Sequence, residues 1–352
     1  MIIDSHVHLR DWKEGSGKET VRHGLEVARD SGVSAVFEMP NTRPSIFTED
    51  MVRERIKLAD NANVPEVFHG LYIGLTKNSE QVMRAVDIFR EYFPRVVGMK
   101  LYAGHSVGDL GVVQESQQRM VYETLSMEGY EGVLVVHCEK ESLIDRKKFI
   151  HTNPITHCYA QPEKAEIESV KDQIKFAREY NFPGKLHIAH VSSPGAVELI
   201  SQVKLDGLDI SSEICPHHFI YDWGNMFGER GILYKMNPPL RNPESRQKIF
   251  DMLREEKIDW IATDHAPHTL EDKTEKHMSG IPGLASWPLF IEYLRKNDFS
   301  DNEIEDLTFN NAQKRFGIDI QKNNTPIKDR TKDYAYNPYT QIENELDWNK
   351  NE

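Results

Sequence analysis

Short apolar runs alternate along this chain with segments whose apolar residues recur every three or four positions. The runs fall at 1–8, 33–40, 66–75, 96–102, 132–138, 185–192, 209–215 and 258–264, each of a length that suits a buried strand. Amphipathic spacing near 18–31, 48–62, 79–92, 114–128, 162–181, 194–205 and 243–256 predicts helices between them, with further helical spacing at 283–296 and 301–309. Strands that take turns with helices predict a parallel sheet. Eight such strands in 352 residues fit an α/β fold of the (β/α)8 TIM-barrel type, which takes about 250 residues, or more with insertions. A doubly wound open sheet is the competing arrangement. No Gly-x-Gly-x-x-Gly follows the first run, which weakens a dinucleotide-binding version of it. We place the barrel at 1–317. Residues 318–352 are polar and weakly periodic, and are expected to form a C-terminal extension, packed on the barrel or partly extended.

Polar residues gather where these runs end. His6 and His8, in Asp4-Ser5-His6-Val7-His8-Leu9-Arg10, share one face of a strand because strand side chains alternate. Two neutral imidazoles on one face make half of a tetrahedral zinc site. Arg10 continues the same spacing and is expected to point into that site, where a guanidinium binds a carboxylate bidentately. Lys100 ends Val96-Val97-Gly98-Met99-Lys100. A lysine there ordinarily extends to solvent. Buried, its pKa falls and the free amine can add carbon dioxide, giving a two-oxygen carbamate able to bridge two zinc ions. His137 and His190 close two other apolar runs and are the candidates for a second metal, whereas His187 and Cys138 face the other way and read as structural. Asp264 is either a solvated loop carboxylate or, among these histidines, a ligand and proton shuttle. His268, past a proline turn, is placed to reach a substrate carboxylate, with a plain turn histidine as the alternative. Asn41, between prolines in Pro40-Asn41-Thr42-Arg43-Pro44, offers both a donor and an acceptor. Backbone groups near Asn237 are placed to hold a ring amide. The glycine-rich stretch 104–113 is expected to move over the site.

Composition narrows the function classes. A net charge of −13 and the lack of a basic stripe argue against nucleic acid. No apolar run approaches the roughly 20 residues needed to span a bilayer, and no signal peptide is evident at the start. Three cysteines, Cys138, Cys158 and Cys215, are too few and odd in number for a disulfide framework. The expectation is a cytoplasmic enzyme of small molecules.

The stretches DSHVHLR (4–10), PNTRP (40–44), GMKLYAG (98–104), VVHCE (135–139), HIAHVSSP (187–194), EICPHH (213–218), NPPLR (237–241), ATDHAPH (262–268) and GIPGL (280–284) together resemble the amidohydrolase superfamily and, within it, the dihydroorotases. The resemblance implies two zinc ions. His6, His8, carboxylated Lys100 and Asp264 would hold one, and Lys100, His137 and His190 the other. It further implies attack of a metal-bridging hydroxide on the ring amide of dihydroorotate, with Asp264 moving the proton, to give N-carbamoyl-L-aspartate in pyrimidine biosynthesis. Arg10, Asn41 and His268 resemble the family's grip on the substrate carboxylate, which separates dihydroorotases from dihydropyrimidinases, hydantoinases and allantoinases. A related cyclic amidase and a catalytically inactive subunit are the alternatives. A homodimer is expected, with association to a carbamoyltransferase as a further partner. Two departures stand out. Relatives of this sequence type often carry a flanking β-sandwich, and none is evident here. Segment 140–160 also differs from the family pattern.

Overall fold

The structure, a computed structural model, describes residues 1–12, 15, 17–106 and 108–346. Eight parallel strands form one sheet in chain order: β1 Ile3–Val7, β2 Ala35–Glu38, β3 Phe68–Gly74, β4 Val96–Ala103, β5 Val133–Cys138, β6 Lys185–Ile188, β7 Ile210–Ile214 and β8 Trp260–Ile261. A parallel bridge from Val7 to His265 closes the ring. Every strand coincides with one of the apolar runs, because a strand of a barrel is covered on both faces and keeps no polar side for solvent. Helices lie between successive strands as the spacing predicts. Several of them start at a side chain that accepts otherwise unpaired backbone N–H groups, as Asn78 does for Glu80 and Gln81.

Two features differ from the sequence reading. The runs at 185–192 and 258–264 overshoot, since β6 stops at Ile188 and β8 at Ile261. The helical spacing at 301–309 continues through a π-turn at Asp306–Asn310 into a helix at Asn311–Phe316. That helix ends where Gly317 takes the left-handed φ of 67°, a conformation glycine adopts without steric cost.

The helix plugs the amino-terminal end of the barrel. Phe316 sits 4.9 Å from the ring of Phe37 and 6.0 Å from that of Trp260, within a core that also holds Ile3, Ala35, Val97, Val133, Ile318 and Ile320. From there the chain climbs the outside of the barrel. The Asn323 side chain donates to the carbonyls of Arg29 and Val33, and Arg330 pairs with Asp30 at 2.6 Å. Tyr339 and Ile342 enter the main core.

Candidate active site

The carboxyl ends of the strands open into a cavity of about 520 Å³. His6 lies on β1 and His8 just past it, both facing inward. The backbone N–H of His8 donates to the carbonyl of His265 at 2.7 Å. Asp264 Oδ1 lies 2.9 Å from His8 Nε2 and 3.3 Å from His6 Nε2. Facing them, His137 Nδ1 on β5 and His190 Nε2 just past β6 converge to 2.9 Å, and the rings of His6 and His190 are 5.1 Å apart. Lys100, on β4, is fully buried. Its ammonium lies 5.2 Å from the centre of the Tyr102 ring and, among the described residues, has no hydrogen-bond partner.

Strand alternation does not deliver all of these side chains. Arg10, His190 and Asp264 lie beyond their strands and have φ of 47°, 37° and 48°. Left-handed backbone is uncommon outside glycine and costs of order 1–3 kcal/mol each. Arg10 thus reaches the cavity through a left-handed turn and not by continuing the spacing of His6 and His8.

Each of three histidines has one ring nitrogen fixed by an oxygen and the other turned to the cluster. His6 Nδ1 meets Glu213 Oε1 at 2.5 Å, His8 Nδ1 meets Asn41 Oδ1 at 2.6 Å, and His137 Nε2 meets Glu139 Oε2 at 3.1 Å. Carboxylate and amide oxygens accept, so with an ion at the cluster these nitrogens would carry the protons and the inward ones would present lone pairs. Burial lowers His8 to about 4 and His190 further, which keeps both neutral. Burial would raise Asp264, but the neighbouring His6 and His8 side chains outweigh it and hold the carboxylate below its ordinary range. Burial also lowers Lys100 to about 8, so an appreciable fraction is free amine near neutral pH. Neutral imidazoles, an ionised carboxylate and a buried amine without a partner are the donors a zinc pair bridged by a lysine carbamate requires.

No protein-family model matches the chain. The dihydroorotase of Methanosphaera stadtmanae is 33% identical over 328 residues, which span 90% of this chain and 70% of the relative. That of Thermococcus kodakarensis is 31% identical over 90% of this chain and 68% of the relative. The chain belongs to the dihydroorotase family. Among solved structures, the L-hydantoinase (dihydropyrimidinase) from Arthrobacter aurescens superposes with a TM-score of 0.81 at 25% identity, over 92% of this chain and 72% of that one. A dihydroorotase from Saccharomyces cerevisiae in complex with 5-fluoroorotic acid superposes with a TM-score of 0.73 at 18% identity, over 91% and 84%, a likeness of fold.

In this dihydroorotase-family chain, Arg10, Asn41, Asn237 and His268 all line the cavity. Asn41 uses its Oδ1 on His8, which leaves its amide nitrogen as the donor toward a ligand. Asn237 Oδ1 is held by His157 Nε2 at 3.0 Å, so the Asn237 side chain is fixed as well as its backbone. His268 is engaged on both ring nitrogens, by Lys18 and by the Ser279 carbonyl. His187 is structural, stacked 4.2 Å from Trp260, and Cys138 is buried with its thiol pushed up. Gly104 and His105, from the glycine-rich stretch, stand at the rim.

Several residues escaped the sequence reading. Glu213 is buried on β7 and gathers His6, Ser5, Trp260 and His187 around one carboxylate. A lone charged residue inside the buried strand ISSEI was its signal, because a buried charge needs partners. Glu139 repeats the two-residue spacing of His6 and His8 after His137. Arg241 and Glu166 form a buried pair at 3.2 Å, and Glu166 also accepts from the backbone of Ser192 and Ser193, fixing the loop that carries His190. Arg55 clamps Glu38 and also donates to the carbonyl of Asp11 at 2.6 Å, which secures the turn beside Arg10. His157 gave no signal. It comes from a short helix, Thr156–Ala160, in the segment that departs from the family pattern.

Proposed function

We propose that this chain catalyses the reversible hydrolysis of dihydroorotate to N-carbamoyl-L-aspartate, with two zinc ions, in the cytoplasmic synthesis of pyrimidines. One observation carries the reading: a guanidinium, Arg10, opens into the same cavity as the His6–His8–Asp264 cluster. A carboxylate-bearing ring amide asks for that pairing.

His6, His8, Lys100 as its carbamate and Asp264 would hold one ion, and Lys100, His137 and His190 the other. When bound, zinc supplies Lewis acidity toward the ring carbonyl and makes water a nucleophile at neutral pH. Arg10 grips the substrate carboxylate through two parallel hydrogen bonds, and the Asn41 amide nitrogen donates beside it. Asn237 and its backbone orient the ring. In the hydrolytic direction the water oxygen bonds to the carbonyl carbon and the bond from that carbon to the ring nitrogen breaks. Asp264 accepts the proton of the attacking water and returns it to the leaving nitrogen. Its Oδ1 faces His6 and His8, which assigns the transfer to Oδ2. The depressed pKa of Asp264 keeps it ionised at neutral pH.

The likeness to the Arthrobacter hydantoinase favours a second reading, hydrolysis of a ring without a carboxylate. Protein purified with zinc and bicarbonate, then offered dihydroorotate, dihydrouracil, hydantoin and allantoin, separates the two. Turnover of dihydroorotate alone is expected. Turnover of another ring in its place removes the substrate assignment and leaves the metal cluster.

A further inference from the structure

β7 ends at Ile214, and the chain turns at once through Cys215-Pro216-His217-His218. Three side chains able to bind a metal are buried in this turn. Cys215 is fully buried, and His217 and His218 are 1% and 3% exposed. One donor atom from each lies within 4.8 Å of the other two. The two imidazole rings stand 4.3 Å apart, centre to centre. Cys215 forms no disulfide. None of the three is among the described residues that line the cavity, and the proposed hydrolysis uses none of them.

The hydrogen bonds show which atoms remain available. His218 Nε2 lies 3.0 Å from the Pro238 carbonyl oxygen. A carbonyl only accepts, so Nε2 carries the ring proton and Nδ1 the lone pair. That Nδ1 is buried and, among the described residues, has no hydrogen-bond partner. His217 Nδ1 lies 3.5 Å from the Tyr339 hydroxyl, a long contact, and its Nε2 is also buried without a partner among the described residues. Buried polar atoms nearly always have a partner, and an ion is one of the few explanations for those that do not. Two such nitrogens on consecutive residues, beside a free thiol, call for a partner in common. Burial lowers His217 to about 4 and His218 further, so both rings are neutral, the form that ligates.

We propose that Cys215, His217 and His218 form a metal site for a zinc-class cation, separate from the His6–His8–Asp264 cluster and from His137 and His190. One sulfur and two imidazole nitrogens suit zinc, whereas magnesium and calcium take oxygen ligands. As the ion binds, the Cys215 thiol releases its proton to solvent and a sulfur–metal bond forms. The lone pairs of His217 Nε2 and His218 Nδ1 fill two more of the four tetrahedral positions. His218 keeps its hydrogen bond to the carbonyl next to Asn237, so the ion steadies the turn after β7 against the cavity wall. The site does not depend on which ring the cavity hydrolyses.

The test uses the full-length protein, stripped of metal and reloaded with cobalt(II). The proposed zinc pair offers only nitrogen and oxygen donors, so a thiolate-to-cobalt absorption band in the near ultraviolet reports the Cys215 site alone. The band is expected in the wild type, in Cys138→Ala and in Cys158→Ala, and is expected to vanish in Cys215→Ala. Cys215→Ala loaded with zinc should hold about one equivalent less per chain than the wild type by elemental analysis. His218→Gln can still donate to the Pro238 carbonyl but lacks the Nδ1 lone pair. It should weaken cobalt binding at this site by about 100-fold or more, beyond the 10–100-fold that an outer partner costs. Wild-type protein without the band overturns the site, as does a band that persists in Cys215→Ala or equal zinc in the two proteins. Should Cys215→Ala fail to fold, the wild-type spectrum and His218→Gln decide the matter. A sulfur band in protein that leaves dihydroorotate unchanged supports the site and overturns the reaction reading. Dihydroorotate turnover by protein without the band does the reverse.

Discussion

At the amino ends of the strands, Ile3, Ala35, Val97 and Val133 close on Phe309, Phe316, Ile318 and Ile320 in an apolar plug. At the carboxyl ends, the same strands lead to desolvated imidazoles, a buried lysine amine without a partner and three left-handed turns at Arg10, His190 and Asp264. One end gains stability from every methylene it buries. The other holds groups in states that a free chain would avoid, and keeps them there through Glu213, Glu139 and Asn41. The contrast teaches that chemistry and cohesion are separated along one barrel axis, so each should be removable without the other.

The sharpest way to break that separation is Lys100→Met. The side chain keeps its volume and loses its amine. On the two-zinc reading, loss of Lys100 as a ligand is expected to lower kcat/KM by about 10³-fold or more, while the thermal midpoint holds or rises because a buried polar atom has gone. A variant that unfolds would instead show that the lysine is needed for cohesion. Phe316→Ala addresses the opposite end. Emptying the plug should destabilise the protein by about 3–5 kcal/mol in denaturant titrations, with kcat and zinc content unchanged at low temperature. Coupled loss of activity in the folded state would mean that the two ends communicate. Glu213→Gln is the finest probe, because it keeps shape and removes only charge beneath His6. Zinc affinity measured by chelator competition should weaken about 10–100-fold, a smaller effect than losing a ligand.

What the sequence disclosed follows from the same separation. All eight strands were legible, since burial on both faces leaves a continuous apolar run. His6, His8, Lys100, His137, His190 and Asp264 were legible as polar residues closing such runs; in the structure all but Lys100 line one cavity, and Lys100 is fully buried. Alternation failed at Arg10, because a two-residue period holds only while the backbone stays extended. It failed for the same reason to mark where β6 and β8 stop before His190 and Asp264. Glu213 was overlooked because its partners Ser5 and His6 are about 200 positions away, and sequence spacing carries no sign of such a contact. His268 was legible as a site residue but not in its hydrogen bonding, which depends on a lysine 250 residues earlier in the chain. The short helices at Thr156–Ala160, Pro216–Ile220 and Leu270–Thr274 are too brief to show a helical period at all.

The strap that climbs from the plug to the upper rim has a consequence in time. Tyr334 donates to Glu19 at 2.8 Å, Glu19 holds His265, and Tyr336 donates to the Gly280 carbonyl on the cavity wall at 3.1 Å. On the ribosome these tyrosines emerge well after His6 and His8, and after Asp264. The nascent chain can therefore assemble its strands and still lack the contacts that steady its metal-facing loops. On the two-zinc reading, metal offered during translation would meet an unfinished mouth, and its capture would be a late event in the life of the chain.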